Sequence, residues 1–128
     1  MRKTKKVLLF AVILVVLGSF LASMFHTSFF QVKVKEIEFE TERGTLSGLL
    51  YMPKGAGEEE PRPVIVTTHG YLNTKEMQDA SAIEMSRRGY IVLAVDMYDH
   101  GDSRWKDEIK VGEQFATFWI YSQIDAAN

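Results

Sequence analysis

The feature that most constrains this chain is an uncharged apolar run near its N-terminus. Residues 7–25 read VLLFAVILVVLGSFLASMF, 19 positions without a charged side chain. About 20 such residues form a helix that can cross the hydrocarbon core of a bilayer. Four basic residues lie just before the run, within residues 1–6, and such a flank tends to stay cytoplasmic. The sequence therefore predicts a transmembrane signal anchor over residues 7–25 in the cell membrane, with the remaining chain outside the cytoplasm.

Two other interpretations of the run are open. A cleaved signal peptide shares the basic start, but its apolar core is shorter and ends in a small-residue cleavage site. Such a site is hard to place, because bulky Phe20 stands two residues before Ala22. A buried core helix is disfavoured, because the run has no polar face. We favour the uncleaved anchor, followed by a connector over residues 26–31 whose Phe29 and Phe30 suit the lipid headgroup region.

The composition of the remaining chain limits the class of protein to which it can belong. No cysteine is present, which excludes disulfides and cysteine-ligated metals. The hydrophobic content of 46% and charged content of 25% are typical of a globular domain, predicted over residues 32–128. Four of the 15 basic residues precede the apolar run, which leaves 11 against 17 acidic residues. Such an acidic domain is a poor partner for nucleic acid, whose phosphates require neutralisation by basic side chains.

The first part of this domain has the pattern of a β-hairpin. Val32 and Val34 alternate with lysines, whereas Ile37 and Phe39 alternate with glutamates. The change of parity predicts a bend or bulge at residues 35–36. A turn at residues 43–44 and a second strand over residues 46–52 complete the hairpin, and residues 54–63 form a surface loop.

Two later segments are continuous apolar or β-branched runs, residues 64–68 and 90–95, as in parallel strands covered on both faces. Between them we expect a helix that begins at an Asn73 cap, with Glu76 completing a capping box, and ends at Gly89. A last helix is expected from near Gly112. The order of hairpin, strand, helix, strand and helix predicts an α/β fold.

The ends of the two apolar strands carry the candidate functional residues. Ligands of parallel α/β sheets bind beyond the carboxyl ends of the strands. His69, Gly70 and Tyr71 follow the first strand, and residues 96–103, DMYDHGDS, follow the second. A glycine allows a sharp turn and brings a peptide N–H close to a ligand. The segment therefore suits main-chain stabilisation of a developing negative oxygen.

These motifs resemble a known family. The His-Gly after an apolar strand, the sequence RRGYIVLAVD at residues 87–96, the HGDS at residues 100–103 and the RGTLSGLLYMP at residues 43–53 resemble the N-terminal part of an α/β-hydrolase. The serine-aminopeptidase and dienelactone-hydrolase-like groups are the most similar, over residues 36–128. The resemblance implies that the Tyr71 main-chain N–H is one of two oxyanion-hole donors and that its side chain lines the acyl pocket. It implies structural roles for the following residues: His69, Gly70, Asp96, His100, Gly101 and Ser103.

The loop departs from the family pattern D-x-R-G-x-G-x-S at two positions. Tyr98 replaces the arginine and Asp99 replaces the first glycine, which leaves the substrate subclass open. The acidic residues of this loop do not have calcium-loop spacing, and turn hydrogen bonds explain them better, so no metal or other cofactor is predicted. Three aromatic residues of the last helix, Phe115, Phe118 and Trp119, could form a lipid- or acyl-facing surface with Trp105, but we expect these three to pack onto the sheet.

The chain lacks the G-x-S-x-G nucleophile motif of α/β-hydrolases, because Trp105 occupies the closing glycine position after Gly101-Asp102-Ser103. His100, Asp102 and Ser103 are too close in sequence to orient as a catalytic triad. We therefore expect the N-terminal part of a membrane-anchored serine hydrolase for esters or amides, with nucleophile, acid and base beyond residue 128. Its partners are the bilayer and a small-molecule or peptide acyl substrate. This segment alone is expected to be inactive. The alternative is a non-enzymatic anchored interaction module or a decayed pseudo-hydrolase.

Overall fold

A computed structural model describes residues 2–108 and 112–128, and within them a long N-terminal helix precedes a five-stranded mixed sheet with helices on its faces. The predicted α/β class is confirmed. The elements are α1 (Arg2–His26), β1 (Val32–Glu40), β2 (Gly44–Pro53), β3 (Val64–Thr68), a 3₁₀ helix (Lys75–Gln78), α2 (Asp79–Arg87), β4 (Ile91–Val95), β5 (Arg104–Trp105), a π-helical segment (Ala116–Tyr121) and α3 (Ser122–Ala127).

Helix α1 contains the predicted anchor and continues through the described part of the basic flank. From Lys3 to His26 it is long and apolar enough to cross a membrane, and no part of the apolar stretch is buried by the protein. Its apolar side chains are exposed on all sides of the helix. Exposure of such an apolar surface to water is unfavourable, because its burial would lower the free energy by about 25 cal/mol per Å².

The sheet has the order β1-β2-β4-β3, with β5 paired to β2. Strand β2 is antiparallel to its two neighbours β1 and β4, which confirms the hairpin, and β3 and β4 are parallel, as the apolar runs predict. One edge of β3 pairs with β4, and no strand within the described residues pairs with its other edge. The carboxyl ends of β3 and β4 lie side by side and place the two candidate loops together.

The predicted bulge at residues 35–36 is wrong. The register between β1 and β2 is unbroken from Val32 opposite Pro53 to Glu40 opposite Thr45. Both faces of the sheet are covered, and the two halves of β1 bury apolar side chains on opposite faces. The first half of the strand contributes Val32 and Val34 to the cluster around Tyr51 and α2, whereas the second half contributes Ile37 and Phe39 to the opposite cluster. The change of parity therefore marks a change of buried face along a regular strand.

The predicted capping box at Asn73 is also wrong. Thr74 holds the N-cap position of the 3₁₀ helix, makes no side-chain capping bond, and α2 begins only at Asp79. The reason is tertiary: the main-chain N–H of Lys75 donates to the Asp96 carboxylate at 2.7 Å. A carboxylate at the end of β4 thus replaces the local cap. Helix α2 ends at Arg87 with Arg88 as its C-cap, and Gly89 follows with a φ of +98° that favours glycine, as expected of a C-terminal stop.

Candidate functional site

His69 lies buried between the two loops at the carboxyl ends of β3 and β4. Its Nε2 accepts a hydrogen bond from the Met97 N–H at 3.1 Å, so its Nδ1 carries the proton and donates to the Gly70 carbonyl at 2.8 Å. The ring also lies 5.3 Å from the ring of His100, centroid to centroid. With both nitrogens occupied, His69 joins the loop after β3 to the loop after β4.

Asp96, at the end of β4, is a fully buried carboxylate with three donors. Its Oδ1 accepts the Lys75 main-chain N–H at 2.7 Å, and its Oδ2 accepts the Lys75 Nζ at 2.9 Å and the Asp102 N–H at 3.0 Å. Hydrogen bonds that involve an ionised group are roughly twice as strong as neutral ones. Asp96 therefore fixes both the start of the 3₁₀ helix and the loop that follows β4.

Lys75 is the residue of this site that sequence reasoning missed. Its side chain is 1% exposed, and its Nζ contacts Asp102 at 2.6 Å and Glu36 of β1 at 3.3 Å besides Asp96. Burial by itself would lower the pKa of Lys75, but hydrogen bonds to Asp102, Asp96 and Glu36 raise that pKa well above its ordinary value. The hydrogen bond from the Lys75 Nζ also lowers the pKa of the Asp102 carboxyl. No local pattern around Lys75 marks it, because its partners come from distant segments.

The loop over residues 96–103 is held in one conformation by Gly101 and Ser103. Gly101 has φ +51°, and a Cβ atom there would overlap the Asp96 carboxylate, so the position favours glycine. The buried Ser103 Oγ accepts the Ser47 N–H at 2.9 Å and donates to the Asp96 carbonyl at 2.8 Å. These contacts attach the loop to β2.

The loop geometry does not assemble His100, Asp102 and Ser103 into a triad. The His100 Nδ1 donates to the Tyr98 carbonyl at 3.0 Å, and the Ser103 hydroxyl is used by backbone groups. Within residues 2–108 and 112–128, no hydrogen bond joins the three side chains to one another, and no group of three or more His, Asp or Glu side chains is placed to hold a metal ion.

Tyr71 presents its main chain and its ring at the surface of the site. The residue is 64% exposed, and its N–H finds no acceptor among the described residues. The expected sharp turn at Gly70 is wrong in detail, because the positive φ of this turn, +58°, lies at Leu72. A Cβ at Gly70 would meet only the Asn73 Nδ2 at 3.8 Å. The side of Gly70 that a Cβ would occupy is therefore nearly open.

Aromatic rings of the last helical segment extend from Tyr71. Its ring stacks on Trp119 at 5.8 Å, and Phe115 stacks on the same indole at 5.3 Å. Phe115 is 66% exposed, so the expected packing of this residue onto the sheet is wrong. The π-helical spacing explains the difference, because Thr117 and Ser122, five residues apart, are the buried pair.

Comparison with solved structures identifies the architecture. The chain is similar to a thioesterase domain from the curacin biosynthetic pathway, with a TM-score of 0.56 and 22% identity over 74% of this chain and 32% of that one. It is equally similar to the hypothetical protein PA2218 from Pseudomonas aeruginosa, with a TM-score of 0.56 and 22% identity over 76% of this chain and 30% of that one. The fold is hydrolase-like. This chain spans about a third of the length of either structure. No family model and no curated protein matches it.

Proposed function

We propose that the chain is the N-terminal part of a membrane-anchored serine hydrolase that cleaves an ester or amide bond by acyl transfer. The observation that carries the proposal is the main-chain N–H of Tyr71. It lies beyond the carboxyl end of a parallel strand, finds no acceptor in the described residues and stands beside exposed aromatic rings. A preorganised N–H at such a place is suited to stabilise the oxyanion of an acyl-transfer transition state. The Tyr71 ring then lines the acyl pocket.

The hydrolase-like sheet supports the assignment of the remaining catalytic groups to residues beyond 128. The two similar structures are about three times as long as the part that this chain matches. The side of β3 opposite β4 has no strand partner within the described residues, and Val64 on β3 is 60% exposed. A following strand that paired there would deliver a nucleophile next to Tyr71. The nucleophile, acid and base of the reaction are assigned to that continuation.

Helix α1 supports the membrane part of the proposal. Residues 7–25 remain attached as an anchor, and the domain lies outside the cytoplasm, because the basic flank is retained inside. A mature N-terminus beyond residue 22 would contradict the anchor. Protection of the domain from added protease in intact spheroplasts would contradict the orientation.

A fluorophosphonate probe, which labels activated serine nucleophiles, tests the enzymatic assignment. We expect no labelling of residues 1–128 in detergent, and labelling of the product of the continued reading frame at a G-x-S-x-G serine. Ser103→Ala in the longer product serves as the matched control and should label equally well. Labelling of residues 1–128 that Ser103→Ala abolishes would instead assign the nucleophile to Ser103. A continued frame without any labelled serine would favour a non-enzymatic role.

A further inference from the structure

A cleft lies where helix α1 meets the open end of the β1–β2 hairpin. It encloses about 480 Å³. Apolar and basic side chains share its lining, among them Phe30, Val34, Met52, Lys33 and Lys54. We call it the connector cleft, because the connector at residues 26–31 forms one of its walls. None of the groups of the proposed oxyanion site takes part in it.

The connector is a defined turn that attaches the domain directly to α1. The Val32 N–H donates to the Thr27 carbonyl at 3.0 Å, and the Lys54 N–H donates to the Gln31 carbonyl at 2.8 Å. Three consecutive residues of the connector have a left-handed backbone, with φ of +49°, +57° and +62° at Ser28, Phe29 and Phe30. L-residues adopt this conformation at a cost. The chain therefore reverses tightly and holds the cleft next to the end of α1.

With α1 across the bilayer as proposed above and the interface at its C-terminal end, the cleft would extend from the depth of acyl chains to the depth of headgroups. The Phe30 ring folds back to a centroid distance of 6.4 Å from the ring of Phe20, which precedes the end of α1 at His26 by six residues. Six helical residues rise about 9 Å along the axis. Phe30 thus reaches below the interface, whereas Lys33 and Lys54 belong to the domain above it. An apolar floor with a cationic rim matches the two ends of a phospholipid.

The charges around the rim favour an anionic ligand. Lys33 and Lys54 are exposed, and neither forms an ion pair within the described residues. Glu60, which lies near Gly55 on the rim, pairs with Arg62. We propose that the connector cleft binds one anionic phospholipid of the surrounding bilayer, with its phosphate at the two lysines and its upper acyl chain along Phe30. This proposal rests on the membrane anchoring proposed above and is independent of the enzymatic assignment.

The test uses the whole chain in vesicles of phosphatidylcholine mixed with phosphatidylglycerol. Flotation first establishes that the chain is embedded. Native mass spectrometry after gentle detergent extraction then counts the lipids that stay bound. We expect retained phosphatidylglycerol in preference to phosphatidylcholine. Lys33→Gln and Lys54→Gln should each reduce its retention about fivefold, the factor that corresponds to one lysine at an anionic lipid.

Lys35→Gln is the matched control, because Lys35 lies two residues along the same strand face and outside the cleft. Equal losses for Lys33→Gln and Lys35→Gln, or equal retention of the two lipids by the embedded chain, would overturn the site and leave the anchor intact. A chain that does not float with the vesicles would overturn both. Circular dichroism of each variant confirms that these exposed substitutions leave the fold unchanged.

Discussion

Replacing Lys75 by methionine should remove the interaction that joins the 3₁₀ helix to the end of β4. Methionine keeps most of the length of the side chain and removes the ammonium group, with its charge and its hydrogen-bond donors. The Lys75 Nζ is buried against the Asp96 carboxylate, which is itself 0% exposed. Without the ammonium group, Asp96 keeps the N–H donors of residues 75 and 102 but loses its only side-chain cation within the described residues.

The magnitude follows from this burial. Removing one partner of a buried ion pair costs about 3–5 kcal/mol, because the other charge remains desolvated. Two main-chain donors still serve Asp96, so we expect the lower end, about 3 kcal/mol in the free energy of unfolding. Domains are stable by about 5–15 kcal/mol in total, and the variant is therefore severely weakened. Asp96→Asn should cost less, since Lys75 keeps the partly exposed carboxylates of Glu36 and Asp102.

Urea unfolding of the whole chain in detergent micelles, followed by tryptophan fluorescence, measures these differences. Lys106→Met is the matched control, because Lys106 is exposed and lies outside the cluster. The double variant Lys75→Met/Asp96→Asn should lose less than the sum of the single variants, since they share one interaction. A Lys75→Met value within about 0.5 kcal/mol of the control, the range of ordinary surface substitutions, would refute the reasoning.

Two further predictions concern the same loop. Gly101→Ala should destabilise the protein by about 2 kcal/mol or more, because the new Cβ would overlap the Asp96 carboxylate at a left-handed φ. Gly70→Ala is the control and should be close to neutral. Thermal unfolding measures the stability of both variants, and equal losses would contradict the geometry. Burial, together with a nearby carboxylate, raises the pKa of Tyr98 to about 12 from an ordinary value of 10.0. The folded state therefore favours the neutral phenol, and the resulting stability is complete below pH 10 and declines as the pH rises from 10.0 towards 12. Tyr98→Phe should flatten this decline in denaturation measured across that range, and an unchanged slope would count against it.

Several elements of the fold were predictable because their signals are local. The uncharged run of residues 7–25 specifies an apolar helix by its length, and α1 contains it. The continuous apolar runs became β3 and β4, because strands covered on both faces need no polar alternation. The parallel pairing of β3 and β4 then brings His69 and Asp96 together at one edge of the sheet. The local sequence signals were therefore sufficient to predict where the candidate site lies.

What the sequence by itself determined is the position and type of the main elements and the ends of the strands where a site can form. Only the tertiary structure decided which groups meet there. Lys75 and Asp96 are 21 residues apart, and Ser47 and Ser103 are 56 residues apart. Local periodicity reports which residues are buried, but a buried charge or hydroxyl is satisfied by whichever segment packs against it. That choice depends on the packing of the whole sheet with its helices, and the same packing overrode the local cap at Asn73.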